Sequence, residues 1–286
     1  MKQDNIKERF MHGVFFITAF ASIIAVALIC VFLFRSGVPA IGQIGVSEFL
    51  LGREWSPADA PPSFGIFPMI LGSLYITAGA LLLGAPVGIL TAVFMARFCP
   101  VRIYKIIKPC VDLLAGIPSI VYGFFGMVVI VPNIRLVFNV NGSSILAASL
   151  LLGIMILPTI ISISETSINA VPESYYEGSL ALGASHERSV FFAVVPAAKS
   201  GILAAIILGL GRAVGETMAV IMVAGNQARM PDGILRGIRT LTANIVLEMG
   251  YAADLHREAL IATGVVLFVF IMIINLSFSI LKRRGA

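Results

Sequence analysis

Charge is what this sequence has least of. Charged residues make up 12% of its 286 positions, where a soluble domain carries about 25%. That shortage, beside 58% hydrophobic residues, excludes an ordinary soluble domain. Cysteine is scarce too. Cys30, Cys99 and Cys110 are scattered without CxxC spacing, Cys30 inside an apolar run, so no disulfide is expected. His12, His186 and His256 fall in three different segments, which gives a metal site no support, and no other cofactor is indicated. There is also no GxxxxGK[ST] phosphate loop. Any ATP-driven step would therefore need hydrolysis on another chain.

What the chain does have is long apolar runs. Six of them, at 13–34, 66–96, 113–134, 144–164, 200–224 and 259–281, reach the ~20 residues that a helix needs to cross a bilayer. These predict an all-α membrane protein with six transmembrane helices in one domain, residues 1–286. The first run exceeds signal-peptide length and no small-x-small cleavage site follows it, so it is expected to be a true span.

The formal net charge of +5 would suit a nucleic-acid binder if the basic residues were clustered, but they sort by loop instead. With the N-terminus inside, twelve basic residues fall on the cytoplasmic side: Lys2, Lys7, Arg9, Arg97, Arg102, Lys105, Lys108, Arg188, Lys199, Lys282, Arg283 and Arg284. Seven fall outside: Arg35, Arg53, Arg135, Arg229, Arg236, Arg239 and Arg257. The bias places both termini in the cytoplasm.

Between the spans, Ser36–Ser63 reads as an irregular outer loop with room for one short helix, and its Trp55 is expected at the membrane–water interface. Pro68 suits a first helical turn, and Pro86 should kink the second span. Arg97 to Lys108 reads as a short basic loop. Gly116 and Pro118 predict a bend or unwound turn entering the third span, with Ser119 and Tyr122 serving packing or a polar path, and 133–144 turns the chain back. The inner loop, 165–199, is the most structured: Pro172 starts a helix, Gly183 stops it, and Ser185 caps a second that ends before Pro196. Either it lies on the inner surface as a helical hairpin, or it docks a cytoplasmic partner. Beyond the fifth span, Met230–Gly233 signals a turn, and Thr240–Met249 has helical apolar spacing.

The fifth span holds the anomaly. Arg212 and Glu216 sit in its centre, where an arginine costs about 2.5–3.5 kcal/mol on insertion scales. At i and i+4 of one helix they share a face, and Glu216 can neutralise Arg212 until an anion arrives. A guanidinium fork suits an oxyanion. The residue-level reading is an anion path along Arg212, Glu216 and Thr217, with Asn226 as a further polar contact; a structural salt bridge is the other account of the pair. Gly211 and Gly215 form a small-xxx-small pair, as do Ala205 and Gly209, for close helix packing within the chain or against a partner.

Glu177-Gly-Ser-Leu-Ala-Leu-Gly183, followed by Val195-Pro196, resembles the Glu-Ala-Ala…Gly…Ile-x-Leu-Pro signature of the permease subunits of binding-protein-dependent ABC importers. Gly178 and Ser179 stand in place of the two alanines, Ala193 replaces the isoleucine and Val195 the leucine. Ala115–Gly123 is similar to a segment of phosphate-specific permeases, and Gly209–Val220 resembles the C-type subunit of that importer. Trp55-Ser-Pro57 with Phe64-Gly65 also fits. The resemblance implies the type I ABC importer permease fold and import of inorganic phosphate across the bacterial cell membrane. It also implies an A-type permease partner, an ATPase dimer and an external phosphate-binding protein. Glu177, Gly183 and Pro196 would then couple the chain to the ATPase. Permeation of sulfate or molybdate, a passive anion channel, and a membrane enzyme using Glu216 remain as other readings of the same residues.

Overall fold

The structure, a computed structural model, describes residues 2–284. The side chains of the basic residues at the two ends, Lys2, Lys7, Arg9 and Lys282 to Arg284, lie outside the described set. Helices α1 (Lys2–Ile44) and α14 (Asp254–Arg284) are the two longest. They pack on each other where Phe34 meets Phe268 edge to face at 5.9 Å. The chain between them forms α2 (Val46–Leu51), a two-residue hairpin of β1 (Trp55–Ser56) and β2 (Ser63–Phe64), and α3 (Phe67–Val93). Next come α4 (Val101–Gly116), α5 (Ser119–Phe125), α6 (Val131–Phe138) and α7 (Ile145–Asn169). The remaining helices are α8 (Glu173–Ala181), α9 (His186–Ser189), α10 (Val195–Ala197), α11 (Lys199–Gly215), α12 (Met218–Val223) and α13 (Leu241–Glu248). Among the described residues, five helical segments are long and apolar enough to cross a membrane, and a sixth arises if the bent pair His186–Ala197 and Lys199–Gly215, at 68°, counts as one span.

Helix α7 is the centre of the bundle. Ser144 caps it by accepting a hydrogen bond from the Ala147 N–H at 3.2 Å, and Leu151, Leu152, Met155, Ile156 and Ile160 are fully buried along it. Such sealing on several sides is expected of a core helix. Helix α3 starts with Pro68 in its first turn and continues through Pro86. It lies close on α7 because glycines remove side chains at the crossing. A Cβ on Gly84 would stand 2.7 Å from the Gly153 carbonyl oxygen. Gly84→Ala is therefore expected to cost about 1–3 kcal/mol by forcing the helices apart. Thermal unfolding of the purified protein checks this, with Gly116→Ala, which meets open space, as the neutral comparison.

Several boundaries differ from the sequence reading. The basic stretch from Arg97 to Lys108 is mostly helix, not loop. Tyr104, Ile107 and Val111, at i, i+3 and i+7, turn one side of α4 toward Met95, Leu157 and Ile161, and the basic residues occupy what remains. The third span starts later than 113, because Pro118 cannot extend α4 and Ile117 is extended (ψ 126°). It then runs to Phe138, where Asn139 takes a left-handed conformation (φ 52°). Helix α7 outlasts the expected end of the fourth span at 164, since Glu165 is satisfied in place by Tyr104 (2.7 Å) and Lys108 (3.0 Å). The first helix likewise extends ten residues past 34, into the expected outer loop.

Trp55 lies inside the fold rather than on its rim. It is 6% exposed, packed with Phe49, Phe64 and Leu241, and its indole N–H donates to Glu248 Oε2 at 2.8 Å. A buried indole retains its hydrogen bond only where an acceptor reaches it, and α13 supplies that acceptor. Glu248 also accepts from Arg239 and lies 2.8 Å from His256 Nε2. Burial pushes its carboxyl pKa up, but the bonds from Trp55, His256 and Arg239 outweigh this and hold it below the usual carboxylate range.

Candidate functional site

The fifth span is not one helix. Helix α11 ends at Gly215, Glu216 is extended (φ −71°, ψ 126°), and α12 begins at Met218. The sequence encodes the break through Gly215, a weak helix former, and through groups that satisfy the interrupted backbone. The Thr217 hydroxyl donates to the Gly215 carbonyl at 3.2 Å, and the Thr242 hydroxyl to the Glu216 carbonyl at 3.3 Å. Glu216 Oε1 accepts the Ala219 N–H at 3.2 Å and so caps α12. Irregular backbone in a membrane protein is tolerated where it is buried in protein or lines a cavity, provided its polar groups are met.

The expected i, i+4 pair is thereby corrected. Glu216 has left the helix that carries Arg212, and among the described residues no ion pair joins them. Arg212 instead donates from Nη1 to the Thr159 hydroxyl on α7 at 3.3 Å. Thr159 is the partner that the sequence reading missed; its signal was a hydroxyl directly after Pro158 in the middle of an apolar span. Thr217 sits at the break as the N-cap position of α12. Asn226 follows α12 with φ 53°, and its Nδ2 donates to the Ile221 carbonyl at 2.8 Å.

The two small-residue pairs on α11 part company. Ala205 is fully buried, and a Cβ on Gly209 would lie 3.1 Å from Ile160, so this side faces α7. Gly211 and Gly215 have nothing within 4 Å of their would-be Cβ atoms. Helix α12 is backed from the other direction, where Gly123 of α5 and Gly126, just past its end, fit against Ala219, Met222 and Val223.

The inner loop folds as a helical hairpin. Pro172 precedes α8, Gly183 turns the chain at φ 86°, and Ser185 caps α9 by accepting from the Arg188 N–H at 3.4 Å. The second helix does not end before Pro196. A π turn, Val190–Val194, carries it into α10, with Pro196 in that helix's first turn, where its missing N–H is harmless. Glu177 and Pro196 are exposed, α8 buries no residue, and Leu182 at its end is 91% exposed.

Long apolar helices packed around a central one, with one span broken beside an arginine, define a multi-pass α-helical membrane protein. The chain belongs to the family of binding-protein-dependent transport system inner membrane components, whose model matches residues 84–285. It is 39% identical to a probable ABC transporter permease protein, YqgH, of Bacillus subtilis, covering 93% of this chain and 89% of that one. It is 33% identical to the phosphate transport system permease protein PstC of Mesorhizobium japonicum, covering 86% and 81%. Among solved structures, a bacterial alginate ABC transporter matches with a TM-score of 0.63 at 16% identity, over 94% of both chains. The MetNI methionine ABC transporter in an inward-facing conformation matches with 0.58 at 20% identity, over 78% of this chain and 94% of that one. The fold is that of type I ABC importer permeases.

Proposed function

We propose that this permease translocates inorganic phosphate into the cell, with Arg212 as the charged contact on the path and Glu216 and Thr217 shaping the break beside it. The observation that carries the reading is the setting of Arg212. Its guanidinium is half-buried and, among the described residues, tied to one neutral hydroxyl, Thr159, and to no carboxylate. An arriving oxyanion takes up the remaining fork donors. The relatives that carry PstC in their names support phosphate as that oxyanion.

A second permease of the A type closes the path against the open face of Gly211 and Gly215, where small residues admit a close helix. An ATPase dimer docks on α8, with Glu177, Gly183 and Pro196 setting the shape of the hairpin, and an extracytoplasmic phosphate-binding protein delivers the anion. Both termini are cytoplasmic, following the bias of basic residues. The test is uptake of labelled phosphate by proteoliposomes holding the chain with these partners, with and without ATP. Competition by excess unlabelled phosphate alone supports the proposal. Competition by sulfate or molybdate in place of phosphate moves the substrate to another oxyanion, and uptake without ATP points to a passive channel.

A further inference from the structure

Helix α8 has no buried residue, yet it is the surface through which an ATPase would act on the spans. Something must tie it to them. Helix α3 ends in a π turn, Phe94–Phe98, a local irregularity of the kind often found at functional sites. From this turn two neighbouring side chains reach the hairpin. Arg97 Nη1 lies 3.1 Å from Glu173 Oε2 on α8, and its Nη2 donates to the Ile168 carbonyl on α7 at 3.3 Å. Its guanidinium stands 6.0 Å from the centre of the Tyr176 ring on α8. Phe98 meets the His186 ring at 4.8 Å, and His186 Nδ1 is in turn 2.8 Å from the Tyr176 hydroxyl. One arginine thus touches the ends of α3 and α7 and the start of α8.

Simple stabilisation accounts poorly for this. Glu173 is 57% exposed, and an ion pair with one partner so open to solvent stabilises little. Arg97 Nε is buried without a partner, a cost that a side chain placed only for stability would avoid. On its other flank, Pro172 and Tyr175 border a cavity of about 360 Å³ with Ala197, Ala198 and Gly201.

We propose that Arg97 is a positioning residue that transmits displacement of α8 to α3 and α7, making the π turn the mechanical joint between the docking helix and the spans. This rests on the reading that α8 docks the ATPase. A rigid link lets closure of the ATPase move the spans, whereas a severed link lets hydrolysis proceed without transport.

The test uses the full complex in proteoliposomes and reads phosphate accumulated per ATP hydrolysed. Arg97→Glu and Glu173→Arg are each expected to lower that ratio about tenfold, within the usual range of coupling between sites, while hydrolysis continues. The double variant, with the charges exchanged, is expected to recover most of it. An unchanged ratio in the single variants overturns the proposal, as does a double variant no better than the singles. Arg97→Lys keeps the charge without the fork and serves if the reversals fail to assemble. A partial loss supports the joint and a full ratio overturns it. A cysteine at Leu182, crosslinked to the ATPase in the native background, separates the two ideas. No crosslink there sinks the docking reading, whereas a crosslink with a normal ratio in the Arg97 variants sinks only the joint.

Discussion

Arg212→Gln is expected to lower ATP-driven phosphate uptake by one to two orders of magnitude while leaving assembly of the complex intact. A hydrogen bond to a charged group is worth about 1.5–3 kcal/mol, and about 1.4 kcal/mol corresponds to a factor of ten. The glutamine keeps a donor for Thr159 but supplies no charge to offset desolvation of the anion. The fold loses little, since that single contact is already long at 3.3 Å. Glu216→Gln gives the contrast. An amide oxygen still accepts the Ala219 N–H, so the cap on α12 survives and uptake falls far less than in the arginine variant. Labelled phosphate uptake, measured beside co-purification of the complex, checks both. Normal uptake in Arg212→Gln would remove the arginine from the path, and an equal loss in Glu216→Gln would restore a carboxylate role that the geometry has taken away.

The second large effect is expected far from that break. Glu248→Ala should destabilise the chain by about 3–5 kcal/mol, the range for removing one member of a buried ion pair. Arg239, 17% exposed at its side chain, would lose its carboxylate, and the buried indole of Trp55 would lose its acceptor. Because the folded carboxyl is held below its ordinary value, its contribution is fully present above the unfolded carboxylate pKa of about 4.3. It is lost as pH falls through the depressed folded value. Thermal unfolding across acidic pH should therefore show a loss of stability in the native chain that is blunted in Glu248→Ala. Equal acid sensitivity in the two would show that Glu248 does not carry it.

What was legible in the sequence follows from the reach of each interaction. Caps and turns are local. The cap by Ser185 involves a residue three positions away, and Gly183 needs only its own backbone, so both were read from neighbouring letters. Ser144 and Thr240 cap at the same short reach but were not read as caps. The long apolar runs were legible because the bilayer fixes their length. Thr159 and Arg212 are separated by 53 positions, and Trp55 and Glu248 by 193. No pattern along the chain announces such partners. Helix α4 was missed for a different reason: its charges recur often enough to imitate a loop, and its burial is confined to one narrow stripe. The pairing of Arg212 with Glu216 failed because helical periodicity was carried across Gly215, where the competing preference of Glu216 to cap the next helix prevails.

The early end of α11 has one more consequence. Its 17 residues rise only about 26 Å, short of the ~30 Å hydrocarbon thickness, so the helix stops before a full crossing. Arg212 lies in its last turn. There the aligned peptide dipoles present a fractional negative charge of about half an electron. That end of the backbone is a counter-charge that no substitution of Glu216 removes. It tempers the field of the guanidinium continuously, so that an anion taking the proposed path past Arg212 would be attracted without being trapped.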